Sequence, residues 1–304
     1  MPVAGGDLML SLRLGEVAID AVEEISGPRY KPAFLLPEAP ADLIAGHARW
    51  MAPDLYDPAA DLLAMVRQTN VVRTQHHTIL IDTCVGDDKE RNRAAIHRLK
   101  SPWLDNFKAL GLAFDDIDIV MCTHLHVDHV GWNTRLENGR WIPTFPNARY
   151  LFARTEFDYW AERVRTGRPD PDGPIFEDSV LPVVEAGQAD IVADDHELSN
   201  GMWLELTSGH TAGHVCIHLQ NRAGHVLFSG DLMHHPIQVR EPQLNSGFCL
   251  DAAGSRAARH RLLESYADRD VIIVPAHFQR GTAGRIVGAS DGWHFDFLQG
   301  GSTR

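Results

Sequence analysis

His124, His126, Asp128 and His129 fall within six consecutive positions, His-Leu-His-Val-Asp-His. Imidazole nitrogens and carboxylate oxygens suit zinc and other borderline divalent cations. A solitary histidine in a polar loop carries no such meaning. Three histidines and a carboxylate at this spacing, directly after an apolar run, predict metal binding. Three later segments place a His or Asp in the same way: Ser-Gly-His210-Thr-Ala-Gly-His214, Phe-Ser-Gly-Asp231 and Pro-Ala-His277. Each follows an apolar run that predicts a strand, and a strand end on a rigid sheet can aim its side chain at a shared point.

The elements that must position these residues follow from periodicity and turn residues. Residues 16–26 alternate apolar and polar and predict a strand. Residues 28–60 carry six prolines and predict an irregular arm with a short helix around Ala41–Trp50. Residues 68–83 predict two strands about a turn near Gln75–His77. A polar stretch, Val85–Lys100, predicts a loop leading into a helix, and residues 101–113 predict another helix. A buried strand over 117–122 runs into the histidine motif. Then come a strand over 148–153, a helix over 155–166, a loop over 167–174, strands near 189–193, 202–207, 214–219 and 224–230, a helix over 252–267 and a buried strand over 270–275. Strand hairpins mixed with strand–helix–strand units predict an α/β (α+β) layered architecture with two sheets and outer helices.

Composition bounds the function. The 304-residue chain has 28 basic and 41 acidic side chains, a formal net charge of −13, with 44% hydrophobic and 23% charged residues. These values exclude disordered, collagen-like and coiled-coil classes. The acidic balance argues against a nucleic-acid partner, which needs a basic face. The apolar runs are too short for a membrane span, and the start carries no secretory leader, so the expected compartment is the cytoplasm. Cys84, Cys122, Cys216 and Cys249 are widely spaced and predict reduced thiols rather than a disulfide framework.

As a set, Asp82 after the run TILI, THLHVDH, GHTAGH, SGD and PAH resemble the metallo-β-lactamase superfamily over about Val71–His277. The resemblance implies a four-layer αβ/βα sandwich of two mixed β-sheets flanked by helices. It also implies a dinuclear centre: His124, His126 and His210 on one metal, Asp128, His129 and His277 on the other, and Asp231 bridging them. This spread predicts one domain over 1–304, with the Pro-rich arm at about 28–60. Two divalent ions, zinc first with manganese, iron or cobalt as alternatives, would share a water and lower its pKa toward neutrality. Asp128 and Asp231 are the expected catalytic carboxylates, Asp128 orienting the bridging hydroxide or passing its proton on. Asp82 and His214 are expected to support ligands rather than ligate. His234 and His235 either line the substrate pocket or divide into one exposed and one structurally bonded residue. His76 and His77 are expected at the surface, and His47, His97, His196, His218, His225 and His260 carry no assigned role.

Departures from branch patterns narrow the reading. The β-lactamase class with a cysteine ligand would have Cys at Asp231 and Arg at His129. The flavin-linked di-iron branch would have Glu at His126, and the glyoxalase II-like branches read Gly-Gly where Val130-Gly131-Trp132 stands. What remains resembles the lactonase and methyl parathion hydrolase-like branch. The expected activity is hydrolysis of a lactone, ester or phosphotriester (a lactonase or esterase of EC 3.1) acting on a neutral, hydrophobic small molecule. A homodimer is left open. Trp132, Trp141, Phe145, Phe278 and Trp293 are candidates for the pocket wall, and the arm and the Gly86–Lys100 region for its cover. The alternatives are a mononuclear iron dioxygenase on the same fold and a noncatalytic, metal-stabilised binding module.

Overall fold

The structure, a computed structural model, describes residues 10–168, 170–198, 201–279 and 282–298. The extreme ends of the expected 1–304 domain, including the first nine residues of the start that carries no secretory pattern, lie outside the described residues.

Short strand β1 (Ser11–Leu14) pairs antiparallel with the long β2 (Val17–Tyr30). The Pro-rich arm is more ordered than its composition predicts. Its first residues, Pro28–Tyr30, extend β2, and it then forms α1 (Pro32–Leu35), α2 (Ala41–Met51) and β3 (Tyr56–Asp57). Proline at the start of α1 suits the helix, because the N–H that proline lacks would have no partner there. Leu35, Leu36, Ile44, Met51 and Leu55 give the arm an apolar cluster of its own against Leu63, Met65 and Ile237.

Strand β4 (Leu62–Arg73) starts six residues before the expected strand and pairs with both β2 and β5 (Thr78–Ile81). The helix expected within Val85–Lys100 is reduced to a 3-10 turn at Ala94–Ile96, helix α3 (Trp103–Ala109) is shorter than predicted, and β6 (Ile119–Met121) runs parallel to β5. A hairpin of β7 (Thr134–Glu137) and β8 (Arg140–Pro143) was not anticipated. Then follow β9 (Arg149–Ala153), α4 (Arg154–Arg165), the unanticipated short helices α5 (Ile175–Ser179) and α6 (Leu181–Glu185), and β10 (Ala189–Val192). Among the described residues β1-β2-β4-β5-β6-β9-β10, with β3 beside β4, form an eight-stranded mixed sheet.

The second sheet has seven strands, β11 (Glu197–Leu198), β12 (Met202–Leu206), β13 (Val215–Asn221), β14 (Gly224–Gly230), β15 (Val271–Pro275), β16 (Gly284–Ala289) and β17 (Gly292–Phe297), in that order. Helices α7 (Ile237–Arg240) and α8 (Ala252–Tyr266) are inserted between β14 and β15. Helix α8 begins where Asp251 Oδ1 accepts from the Ala253 and Gly254 N–H groups, 3.0 Å each, satisfying two donors that the helix leaves open.

Period-two alternation builds the layers. Ile79 and Ile81 of β5 face Val226 and Phe228 of β14 and Ile272 and Val274 of β15 between the sheets. Leu80 turns outward to Trp103 and Phe107 of α3, and Leu227 and Ile273 turn outward to Leu262 and Leu263 of α8. The result is the αβ/βα sandwich. No helix among the described residues is long and apolar enough to cross a membrane.

Two loops leave adjacent strands of the first sheet and fasten to each other. The Thr83 N–H donates to His129 O at 2.8 Å, Gly131 to Cys84 O at 2.7 Å and Trp132 to Thr83 O at 2.8 Å. So close an approach requires glycine at 131, since a Cβ there would lie 1.9 Å from the Val85 carbonyl carbon and oxygen. Gly131→Ala should therefore lower the unfolding free energy by about 1–3 kcal/mol or more, the usual size of an overpacking penalty. Urea denaturation measures it, and an unchanged midpoint would contradict this account of the loop pair.

Candidate metal centre

The motif histidines leave β6, His210 lies between β12 and β13, Asp231 ends β14 and His277 follows β15. All therefore converge at one edge of the sandwich. The structure gathers them into two groups: His124, His126, His210 and Asp231 in one, Asp128, His129 and His277 in the other. Asp231 faces both. Its Oδ2 lies 3.2 Å from His210 Nε2 and 3.7 Å from His124 Nε2. Its Oδ1 lies 3.0 Å from His277 Nε2 and 3.3 Å from His129 Nε2. Asp128 Oδ1 and Oδ2 stand 3.7 Å from His129 and His277 Nε2 respectively.

The rings are turned by bonds on their far nitrogens. His129 Nδ1–H donates to Asp82 Oδ2 at 2.9 Å, and His277 Nδ1–H donates to the Val66 carbonyl at 2.9 Å. His124 Nδ1 lies 3.1 Å from Thr123 Oγ1, whose hydroxyl donates to Asp82. Each bond leaves an Nε2 lone pair directed into the cluster, the arrangement by which supporting groups orient metal-binding imidazoles. On the first group, His126 Nδ1 and His210 Nε2 approach to 2.9 Å, and His210 Nε2 and His124 Nε2 to 3.1 Å.

Electrostatics agrees with a cation-binding donor set. Burial, then neighbouring imidazoles, hold His124 and His126 well below the ordinary histidine range, and burial lowers His210 to about 3. These rings are neutral donors. Burial opposes ionisation of Asp231, but the surrounding imidazoles outweigh it and hold the carboxyl well below its usual range. Burial likewise disfavours the charged forms of His129 and His277, but Asp231 outweighs it and raises both. Two imidazoles are thus drawn toward protonation beside Asp231, and a divalent cation would displace those protons. His129 Nε2 and Asp231 Oδ1 are buried without a hydrogen-bond partner, which a bound cation would remedy. The residues fit the group that their chemistry implies.

The supporting residues take distinct places. Asp82, at the end of β5, also accepts from the Thr123 N–H at 2.8 Å, so one carboxylate holds both His129 and the start of the motif. His214 Nδ1 meets Thr207 Oγ1 at 2.8 Å, and its Nε2 accepts the Asp231 N–H at 3.0 Å. Gly230 (φ +50°) makes room for that contact, since a Cβ there would stand 2.5 Å from His214 Nε2. His234 is buried, with Nε2 3.2 Å from Asp231 Oδ2. His235 is buried elsewhere and bonded to the Leu55 carbonyl at 2.9 Å. The expected pair of pocket residues therefore reduces to His234. Neither ring is exposed, because the turn after Asp231 packs beneath the arm.

A cavity of about 280 Å³ opens onto the cluster. Its apolar wall comprises Met65, Val66, Val127, Trp160, Phe248 and Leu250. None of the five aromatic candidates lines it. Trp132, Phe145 and Phe278 are buried in the helix–sheet cores, Trp141 packs against the Lys89 ammonium and Trp293 meets His260. The arm and the Gly86–Lys100 region do reach the mouth, through Arg29, Tyr30 and Arg93. Sequence reasoning missed Glu156. It is buried in the first turn of α4 and accepts from Leu125 N and Gly213 N at 2.9 Å and Trp160 Nε1 at 2.8 Å. It ties the two histidine loops together. Its only sequence signal is an acidic residue on the inward face of a helix.

Residues 66–277 match the family model of the metallo-beta-lactamase superfamily. No curated protein matches the chain by sequence. Among solved structures, the hydrolase AbOPH of the beta lactamase superfamily is 19% identical, with a TM-score of 0.82 over 98% of this chain and 100% of that one. AidC, described as a dizinc quorum-quenching lactonase, is 18% identical, with a TM-score of 0.78 over 97% and 98%. A probable metal-dependent hydrolase from Staphylococcus aureus is 15% identical, with a TM-score of 0.73 over 96% and 100%. At such identities the likeness is one of fold. On this geometry Asp82→Ala frees the His129 ring and should weaken metal binding by roughly 10- to 100-fold. Competition with a chromogenic chelator measures it, and unchanged affinity in a folded variant would remove Asp82 from the support of the site.

Proposed function

The chain belongs to the metallo-β-lactamase superfamily, and from that premise we propose that it is a metal-dependent hydrolase of lactones or esters. The observation that carries the reading is Asp231, whose two oxygens each face a separate group of imidazoles. In this reading His124, His126 and His210 would hold one divalent ion, Asp128, His129 and His277 would hold a second, and Asp231 would serve both groups. Bound zinc ions would supply Lewis acidity and acidify water. A shared carboxylate between two groups supports two ions over the single-iron reading. An open cavity over the donor set supports catalysis over a closed structural site.

The chain's own residues divide the remaining work. Asp128 reaches the cavity with 23% of its side chain exposed, and the charges of His129 and His277 overcome its burial to hold it at about 2. It is therefore ionised near neutrality and can accept a proton, but it cannot serve as a reservoir of acid. His234 lies at the cavity wall beside Asp231, and burial lowers it below the ordinary range, so its ring is a neutral hydrogen-bonding group. Neither Asp128 nor His234, the titratable groups beside Asp231 at the cavity, is a proton donor near neutrality, so leaving groups that depart with little protonation are favoured. Lactones and aryl esters meet that condition better than amides. Met65, Val66, Val127, Trp160 and Leu250 would cover the hydrocarbon part of the substrate.

Two outcomes test the reading. Purified chain should hold two zinc or manganese equivalents, and Asp231→Asn should lose most activity and hold fewer; one tightly bound iron in the active protein would overturn it. In a panel on metal-replete protein, lactones and aryl esters should be cleaved well above β-lactams. Faster β-lactam cleavage would reverse the choice of substrate class.

A further inference from the structure

The cavity over the metal centre is lined by four arginines, Arg29, Arg67, Arg93 and Arg163, and by four aspartates, of which Asp128 and Asp231 belong to the donor groups and Asp170 and Asp172 remain to face the guanidinium groups, in a chain of net charge −13. They arrive from separate elements: the ends of β2 and the middle of β4, the Gly86–Lys100 region, and α4. Such convergence costs desolvation and like-charge repulsion, so it calls for a compensating anion.

The carboxylates already present compensate only in part. Arg93 Nη2 pairs with Asp172 at 2.5 Å, and its guanidinium lies over the Phe248 ring. Arg163 lies against Tyr159 and Trp160 and has Asp170 in its electrostatic reach. Arg67 Nε faces Glu24 Oε2 at 3.2 Å without the alignment of a hydrogen bond. Burial opposes its charge, but Glu24 and then Asp128 outweigh that burial and raise its pKa, so it is held charged and the uncompensated member of the pair is Arg29. Glu24 is itself committed, accepting from the Val85 and Gly86 N–H groups at 3.1 and 3.0 Å. Arg29 has no ion-paired carboxylate among the described residues, and its Nε is buried without a hydrogen-bond partner. Burial, then the like charge of Arg67, lowers the pKa of Arg29. Asp170, pushed up to about 6 by burial, is a weak counter-charge.

Arg67 also lies beside the metal centre by construction. Its neighbour Val66 is bonded to His277 in both directions, Val66 N to His277 O at 3.1 Å and His277 Nδ1 to Val66 O at 2.9 Å. An anion on Arg67 and Arg29 would therefore sit within one small molecule's length of the cluster. A planar guanidinium pairs best with a carboxylate, which it can meet with two parallel N–H bonds.

We propose, resting on the hydrolase reading above, that the substrate is an ester or lactone bearing a carboxylate, with the carboxylate on Arg29 and Arg67 and the scissile carbonyl at the His–Asp cluster. This replaces the expectation of a neutral substrate and keeps the hydrophobic one, since the apolar wall remains available to the chain between the two ends.

The test compares two near-isosteric aryl esters on metal-loaded protein, 4-nitrophenyl hydrogen glutarate and 4-nitrophenyl pentanoate, each corrected for uncatalysed hydrolysis. Wild type should favour the anionic ester in kcat/KM by roughly 10- to 100-fold, the size of a charge-assisted hydrogen bond. The preference should shrink as KCl is raised, collapse in Arg29→Gln and return in part in Arg29→Lys. Binding of monomethyl glutarate, followed by Trp fluorescence, should weaken in Arg29→Gln by a similar factor. Cleavage of both esters without preference, with binding indifferent to Arg29, would overturn the carboxylate seat and leave the hydrolase reading standing. Arg29-dependent binding without cleavage of either ester would overturn the hydrolase reading and leave the seat standing. Binding and kcat/KM preference both unchanged in Arg29→Gln would place the anion on the metals alone and also overturn the seat.

Discussion

One carboxylate, that of Asp231, sits 4% exposed at the meeting edge of two β-sheets, and the surrounding structure compensates its charge. An ionised group so deeply buried is tolerated only if charge and hydrogen bonds surround it. The compensation here comes from imidazoles on both sides. Holding them requires a hierarchy of further contacts: Asp82 under His129, the Val66 carbonyl under His277, and His214 on the Asp231 amide. Glu156 then binds the loops that carry His126 and His210. Each of these is a buried polar group satisfied by another, so the centre behaves as one network rather than as a set of independent ligands.

The sandwich makes that network possible. Parallel β5 and β6 release their loops at the same edge, and parallel β14 and β15 do the same across the inter-sheet core. The chain can therefore bring residues 82, 124–129, 231 and 277 to one place without any long excursion. The apolar layer between the sheets keeps those strand ends in register, since a one-residue slip would turn Ile79, Ile81, Phe228 and Val274 out of the core.

Charge is distributed unevenly over this frame. The chain as a whole is acidic, yet its pocket gathers four arginines, with Asp170 and Asp172 as the carboxylates outside the donor groups. A long-range negative field and a local positive seat are compatible because exposed charges are screened within roughly 8–10 Å in physiological salt. The guanidinium groups at the cavity act at contact distance in partial burial, where screening is weak. They give the entrance a chemical preference that the metal centre alone would not have.

The sequence by itself determined the layers and which His and Asp side chains gather at one edge. Three histidines and an aspartate in six residues, with SGH, SGD and PAH at later strand ends, marked the residues that the structure draws together. Strand alternation and the mixed order of strands and helices marked two sheets with outer helices, and local patterns suffice there because side-chain period and turn chemistry are properties of neighbouring residues. The arm was misread because its prolines, read singly, suggest irregularity, whereas their positions at helix starts and in a strand edge depend on what packs beneath. His234 and His235 are adjacent and alike in sequence; only the packing of the turn under the arm sends one to Asp231 and the other to the Leu55 carbonyl. Glu156 and the four pocket arginines were invisible for the same reason. Their meaning lies in partners 31 to 57 residues away for Glu156, and in the meeting of distant segments for the arginines, and such meetings exist only after the sheets have closed.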